Sequence, residues 1–139
     1  MTNVKPLNFT PDPALGFTAE RRTDGGITVV FKNVNRATLE AWRNFAEDHL
    51  LGSDRLVRNL YDLRAVEHIP DEAIQIAVEL DSDPSARNIR LAVVVANDET
   101  RAAIQKIRDL AIGGGARMGI FTDMAEAEAW LSRPIASMV

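Results

Sequence analysis

The stretch Ile89-Arg90-Leu91-Ala92-Val93-Val94-Val95-Ala96-Asn97-Asp98-Glu99-Thr100 decides the fold class. Its first part is apolar apart from Arg90 and rich in β-branched residues, the composition of a strand buried at the centre of a sheet. Asn97-Asp98-Glu99-Thr100 then has the side chains that cap a helix, and Ile104, Ile107, Leu110 and Ala111 follow at helical spacing. A buried strand running directly into an amphipathic helix is the repeating step of an α/β sheet.

Toward the C-terminus, Gly113-Gly114-Gly115 should end that helix. Arg117-Met118-Gly119-Ile120-Phe121 reads as the next strand, and Asp123 caps a short last helix, residues 124–131, with Ala127, Trp130 and Leu131 inward. Toward the N-terminus, Asp81-Ser82-Asp83-Pro84-Ser85 is a loop by composition. Before it, Pro70-Asp71-Glu72 opens a helix: proline tolerates the first turn and acids there favour the dipole. Residues 73–80 are apolar nearly all round (Ile74, Ile76, Ala77, Val78, Leu80), so this helix should be well buried. Leu56-Val57-Arg58-Asn59-Leu60-Tyr61-Asp62-Leu63 is the strand preceding it. A helix capped by Asn35 carries Leu39, Trp42, Ala46 and Leu50, with Phe45 beside them; Arg43, Glu47 and Asp48 face water, and Gly52 suits its end. Residues 15–22 alternate apolar and polar, and Ile27-Thr28-Val29-Val30-Phe31-Lys32 returns after Asp24-Gly25-Gly26, a hairpin signal because glycine accepts positive φ cheaply.

The order is therefore β-β-α-β-α-β-α-β-α. This predicts a single-domain α/β protein with a mixed, mostly parallel sheet of about five strands, an N-terminal β-hairpin and four helices, joined by right-handed crossovers. The domain is expected over residues 14–132, between a proline-bearing arm at 1–13 and a fraying tail at 133–139. Strands two and three mix polar and apolar residues. Helices should thus cover mainly one sheet face and leave the other to a pocket, a partner subunit or solvent.

Composition narrows the function. The 139 residues are one domain's worth; 46% are hydrophobic and 26% charged, ordinary for a globular protein. No cysteine is present, which excludes disulfides, thiolate nucleophiles and cysteine metal sites, and the two histidines, His49 and His68, cannot build a histidine-rich one. A net charge of −4 and a pI of about 5.2 argue against nucleic acid as partner. No apolar run approaches the ~20 residues of a membrane span, and the first residues lack a signal peptide's apolar stretch, so a cytoplasmic protein without a transmembrane segment is expected.

No catalytic residue, metal set or cofactor is assigned. The glycine run leads from a helix into a strand, whereas phosphate loops lead from a strand into a helix, so it reads as a turn. His68 lies near Asp71 and Glu72, but no nucleophile or ligand has a recognisable spacing around it, and His49 falls inside a helix. The carboxylates are clustered: Glu67, Asp71, Glu72, Glu79, Asp81 and Asp83 stand against Arg64 alone, a local charge of −5. That is either a solvated face or a docking surface for a basic partner. Trp42 and Trp130 lie on the inner faces of their helices and suit the core or the shared wall of an apolar pocket.

Leu60-Tyr61-Asp62-Leu63-Arg64-Ala65-Val66-Glu67-His68-Ile69-Pro70-Asp71-Glu72-Ala73-Ile74 resembles the signature of STAS domains, the anti-sigma-factor-antagonist and sulphate-transporter family. In that family an aspartate and an apolar residue end a strand, and Asp-Ser-Ser-Gly-Leu opens a helix after a short polar loop. Residues 117–131, a strand with Phe121, the acidic Asp123 and a helix closing on Ala129-Trp130-Leu131, resemble the ending of its SpoIIAA-like branch, and the resemblance runs over roughly residues 15–132. Regulatory members accept a phosphate on the first serine of the motif. Asp71 stands there in this chain, between Pro70 and Glu72, so the resemblance implies a permanent negative charge in place of a phosphorylation switch. The branch is also similar in fold to CRAL–TRIO lipid-carrying domains, which implies an apolar pocket between sheet and helices.

The sequence thus points to a non-enzymatic STAS-like regulatory or protein-interaction module. Its surface is expected at Asp62, Glu67, His68, Asp71 and Glu72, extended by residues 81–88, and its partner is a protein or a second copy. The alternative is a carrier or sensor of a lipid or other apolar small molecule, with a pocket lined by Trp42, Phe45, Ile76 and Trp130.

Overall fold

The structure, a computed structural model, describes residues 14–51, 56–111 and 116–133. The expected arm at 1–13, the helix stop at Gly52, the glycine run Gly113-Gly114-Gly115 and the tail from residue 134 lie outside the described residues. The elements follow in the expected order. They are β1 (Phe17–Arg21), β2 (Ile27–Phe31), α1 (Arg36–Phe45), β3 (Val57–Leu63), α2 (Asp71–Asp81), β4 (Ile89–Val95), α3 (Asp98–Leu110), β5 (Arg117–Phe121) and α4 (Met124–Leu131). The strands lie side by side as β1-β2-β3-β4-β5; β1 is antiparallel to β2, and every other pair is parallel. The α/β class, the mixed five-stranded sheet and the four helices are therefore as the sequence predicts.

Local chemistry sets the boundaries. Asn35, Asn97 and Asp123 cap α1, α3 and α4 by accepting from Thr38, Thr100 and Ala125 backbone N–H groups. In the hairpin Gly25 N–H donates to Arg22 C=O at 3.0 Å, Arg22 N–H donates to Gly26 C=O at 2.8 Å, and Gly25 has φ +91°. That is a three-residue loop closed by a left-handed glycine. α1 does not stop at Phe45 but widens into a π-helical turn, Ala46–Leu50, in which Leu51 N–H donates to Ala46 C=O.

The register sorts the strand residues onto two faces. Phe17, Ala19, Ile27, Val29, Phe31, Asn59, Tyr61, Leu63, Leu91 and Val93 share one face, and α1, α2 and α3 close over it in the main core. Leu60, Ala92 and Val94 face the other way and pack with Ala127 and Leu131 of α4. All of β4 is buried, because both of its faces are covered. α4 lies mainly over β4, with β5 and β3 beside it. Thr18, Glu20 and Val30 on the same face of β1 and β2 stay exposed, so cover of the second face is incomplete, as strands two and three suggest.

Two ties hold α4 in place. Arg22 makes a two-pronged ion pair with Glu128, Nη2 to Oε1 at 2.5 Å and Nη1 to Oε2 at 3.2 Å. At the other end of the helix, Arg58 and Arg90, directly opposite each other on β3 and β4, donate to its last carbonyls. Residues 81–88 are not the exposed loop expected. Asp81 is the last residue of α2, and Pro84–Asn88 forms a 3-10 turn that buries Ala86. This turn leads into the start of β4, some 15 Å of helix away from Asp71. It cannot extend a surface at the start of α2.

Candidate functional site

The loop after β3 is anchored from below. Val66 N–H donates to Leu63 C=O at 3.0 Å, and Val66 and Ile69 are buried in the core. Glu67 and His68 between and beside them are thereby turned outward. His68 Nδ1 is 3.1 Å from Glu99 Oε1, and Asn97 Nδ2 donates to Glu67 C=O at 3.3 Å, so the loop rests on the start of α3. Pro70 is the N-cap of α2, which exposes Asp71 and Glu72 on its first turn; Arg36 Nε lies 3.4 Å from Glu72 Oε1. Glu67, His68, Asp71 and Glu72 thus share one exposed rim at the carboxyl ends of the parallel strands, with Asp98 and Glu99 beside them.

Asp62 is not displayed on that rim. Its carboxylate is buried on the second sheet face and is gripped by Arg64. The Arg64 backbone N–H donates to Oδ1 at 3.1 Å, Nε to Oδ1 at 3.0 Å and Nη2 to Oδ2 at 2.8 Å. The Arg64 hydrogen bond holds the Asp62 carboxyl below its ordinary pKa. Asp62 therefore shapes the loop from beneath. Asp62, Arg64, Val30, Phe31 and Ala65 border an open depression of about 360 Å³ on the part of the sheet that α4 leaves bare.

The rim is poorly built for acid–base catalysis. His68 and Glu99 side chains are both 67% exposed, so their pairing is screened by water. His49 stacks on Phe45, with ring centroids 4.8 Å apart. Among the described residues no group of three or more His, Cys, Asp or Glu is placed to hold a metal ion, and no helix is long and apolar enough to cross a membrane.

A second feature lies inside. A partly open cavity of about 100 Å³ lies between the sheet and α1, α2 and α3. Trp42 lines it. Phe45 and Ile76 are core residues outside its lining, and Phe45 instead packs on Phe17. Trp130 must be corrected: it lies on the opposite sheet face, against Phe121 and Arg90, and shares no wall with Trp42. Sequence reading missed Tyr61 and Asp81, which do line the cavity. The signal for Asp81 was its spacing of four and eight residues from Ala77 and Ala73, which places all three on one helical stripe.

With the geometry described, the class of fold can be stated: the chain has a SpoIIAA-like fold, an α/β layer with a five-stranded mixed sheet and four helices. A similar solved structure is the crystal structure of an uncharacterized protein from the DUF3478 family with a SpoIIAA-like fold, from Shewanella loihica PV-4. It matches with a TM-score of 0.63 at 16% identity, over 88% of this chain and 99% of that one. No family model and no curated protein matches the sequence.

Proposed function

We propose that this protein is a non-enzymatic regulatory module that docks a basic protein partner through the rim formed by Glu67, His68, Asp71 and Glu72. The observation that carries this reading is the fixed, outward placement of the rim. Val66 and Ile69 pin the loop to the core, Asn97 and Glu99 brace it, and the acids stand exposed where two helices begin. A preorganised surface loses little conformational freedom on binding, and its negative field steers a positively charged partner toward it. Asp71 gives the position a constant charge, so docking here would not wait on a kinase. The soluble-protein reading and a cytoplasmic site of action fit such a role and are part of the proposal.

Support for a lipid carrier is weaker. A cavity of about 100 Å³ is well below the roughly 300–1,000 Å³ of pockets for drug-sized ligands, and a lipid is larger still. The test is affinity capture from the source organism with wild type and D71K/E72K. Loss of a basic binding protein from the charge-reversed variant, with circular dichroism unchanged, is the expected outcome. An identical set of captured proteins would overturn the proposal. Light scattering of the same two samples reports whether the partner is a second copy.

A further inference from the structure

The inner cavity holds a combination of groups that packing alone does not account for. α2 turns Ala73, Ala77 and Asp81 toward it, two small side chains that make room and then a carboxylate. Asp81 Oδ1 accepts from Ala116 N–H at 2.7 Å, whereas Asp81 Oδ2 is buried with no hydrogen-bond partner among the described residues. Tyr61 on β3 lines the same cavity. Its hydroxyl oxygen accepts from Trp42 Nε1 at 3.3 Å, which leaves the phenolic hydrogen to donate. Leaving an acceptor buried and unmatched ordinarily costs about 1–3 kcal/mol. Burial raises the pKa of both groups, and the Asp81 charge adds to the effect on Tyr61, which puts the two within electrostatic reach.

We propose that this cavity is a binding site for a small neutral alcohol: a compact apolar body carrying one hydroxyl. The two polar groups are complementary to that single function. Tyr61 O–H donates to the ligand oxygen, and the ligand O–H donates to Asp81 Oδ2. The other walls, Trp42, Leu63, Ile104 and Val93 among them, are apolar apart from Asn59, whose Oδ1 already accepts from the Ile27 N–H at 3.0 Å. Size fixes the scale. A dry cavity of about 150 Å³ takes benzene, with six non-hydrogen atoms, so about 100 Å³ suits a molecule of about four and excludes an acyl chain. A cation would meet Asp81 but also the donor of Tyr61, and an anion would be repelled by Asp81. This site is separate from the exposed rim, and either can fail without the other.

The test uses the full chain and needs no knowledge of a natural ligand. Nitrogen–proton correlation spectra are titrated with 2-propanol and, in parallel, with acetone, which has the same body and an oxygen that accepts but no hydroxyl to donate. Saturable shifts at the Trp42 indole and at the Asp81 and Ala116 amides are expected with 2-propanol, in the millimolar range or weaker for so few atoms. Acetone should bind about tenfold more weakly, because it leaves Asp81 Oδ2 unmatched. D81N should weaken 2-propanol severalfold and leave acetone unchanged, and Y61F should weaken both. Absence of saturable shifts with 2-propanol would overturn the proposal, and so would equal binding of the two probes. The wild-type comparison decides the matter even if a variant does not fold.

Discussion

The guanidinium carbon of Arg90 stands 5.3 Å from the centroid of the Trp130 ring, and the same side chain donates to the Trp130 carbonyl at 3.3 Å. Arg90 also donates to the carbonyls of Leu131 at 3.1 Å and Arg133 at 2.6 Å, so one buried cation closes the C-terminal end of α4. The last carbonyls of a helix have no partner within it and carry the negative end of its dipole. Burial and the neighbouring Arg58, Arg133 and Arg117 lower the pKa of Arg90, a cost that the contacts with α4 offset.

Replacement of Arg90 by alanine should therefore loosen α4 before the rest of the fold. R90A is expected to cost about 2–4 kcal/mol in urea denaturation. Hydrogen exchange should show protection lost first in residues 124–131. R90K should recover only part, since the shorter side chain ends in an ammonium and lacks the planar guanidinium that lies over the Trp130 ring. Equal loss of protection in α2 and α4 would show that Arg90 supports the whole core instead.

Adjacent glycines of the hairpin should respond differently. Gly25 has positive φ with open space around it, so G25A meets only backbone strain, about 1 kcal/mol. Gly26 has ordinary φ, but a Cβ there would fall on the Arg58 carbonyl oxygen of β3. G26A should push the hairpin off β3 and cost more than 2 kcal/mol. Thermal melts of the two variants check this, and G25A as the more damaging change would contradict it.

These two cases show what the sequence could and could not say. Asp24-Gly25 announces a turn because positive φ has a residue signature, whereas the clash at Gly26 depends on a strand more than thirty residues away. β4 was legible at Ile89 because an apolar β-branched run has few other uses, and α4 was legible within its own residues. The side of the sheet that α4 takes was not. The handedness rule fixes helices that connect two parallel strands, and among the described residues no strand follows α4, so nothing local placed Trp130 away from Trp42. Glu67, His68, Asp71 and Glu72 could be read as one surface because they are close in sequence and polar. The inward turn of Asp62 and Asp81 depended on register and helix rotation, which charge counting ignores.

Asp62 and Arg64 should give the loop an acid-sensitive clamp. The hydrogen bond from Arg64 lowers the folded pKa of Asp62, so its contribution is present above the unfolded value of about 3.9 and is lost as pH falls through the folded value. D62N should be about 1 kcal/mol less stable than wild type at pH 7. The difference should shrink as both proteins are titrated toward pH 2. A gap that stays constant with pH would mean that the amide keeps the bonds that matter.

Asp81 should behave in the opposite sense. Burial raises its folded pKa, so the folded chain favours the protonated form. Below about pH 3.9 the group is protonated in both states and costs no differential ionisation energy. As pH rises from there through the folded value, the unfolded chain releases its proton more readily, and stability falls until it levels off above that value. D81N removes the titration, and its amide oxygen can still accept from the Ala116 N–H. The variant should therefore melt higher than wild type at pH 7, and the advantage should disappear as pH drops below the unfolded value. A gain at neutral pH would mean that wild type keeps a destabilising carboxylate beside Tyr61, as a residue retained for binding would be. A D81N protein that melts lower at pH 7 would show that the bond to Ala116 needs the full charge, and that Asp81 is a structural clasp between α2 and β5.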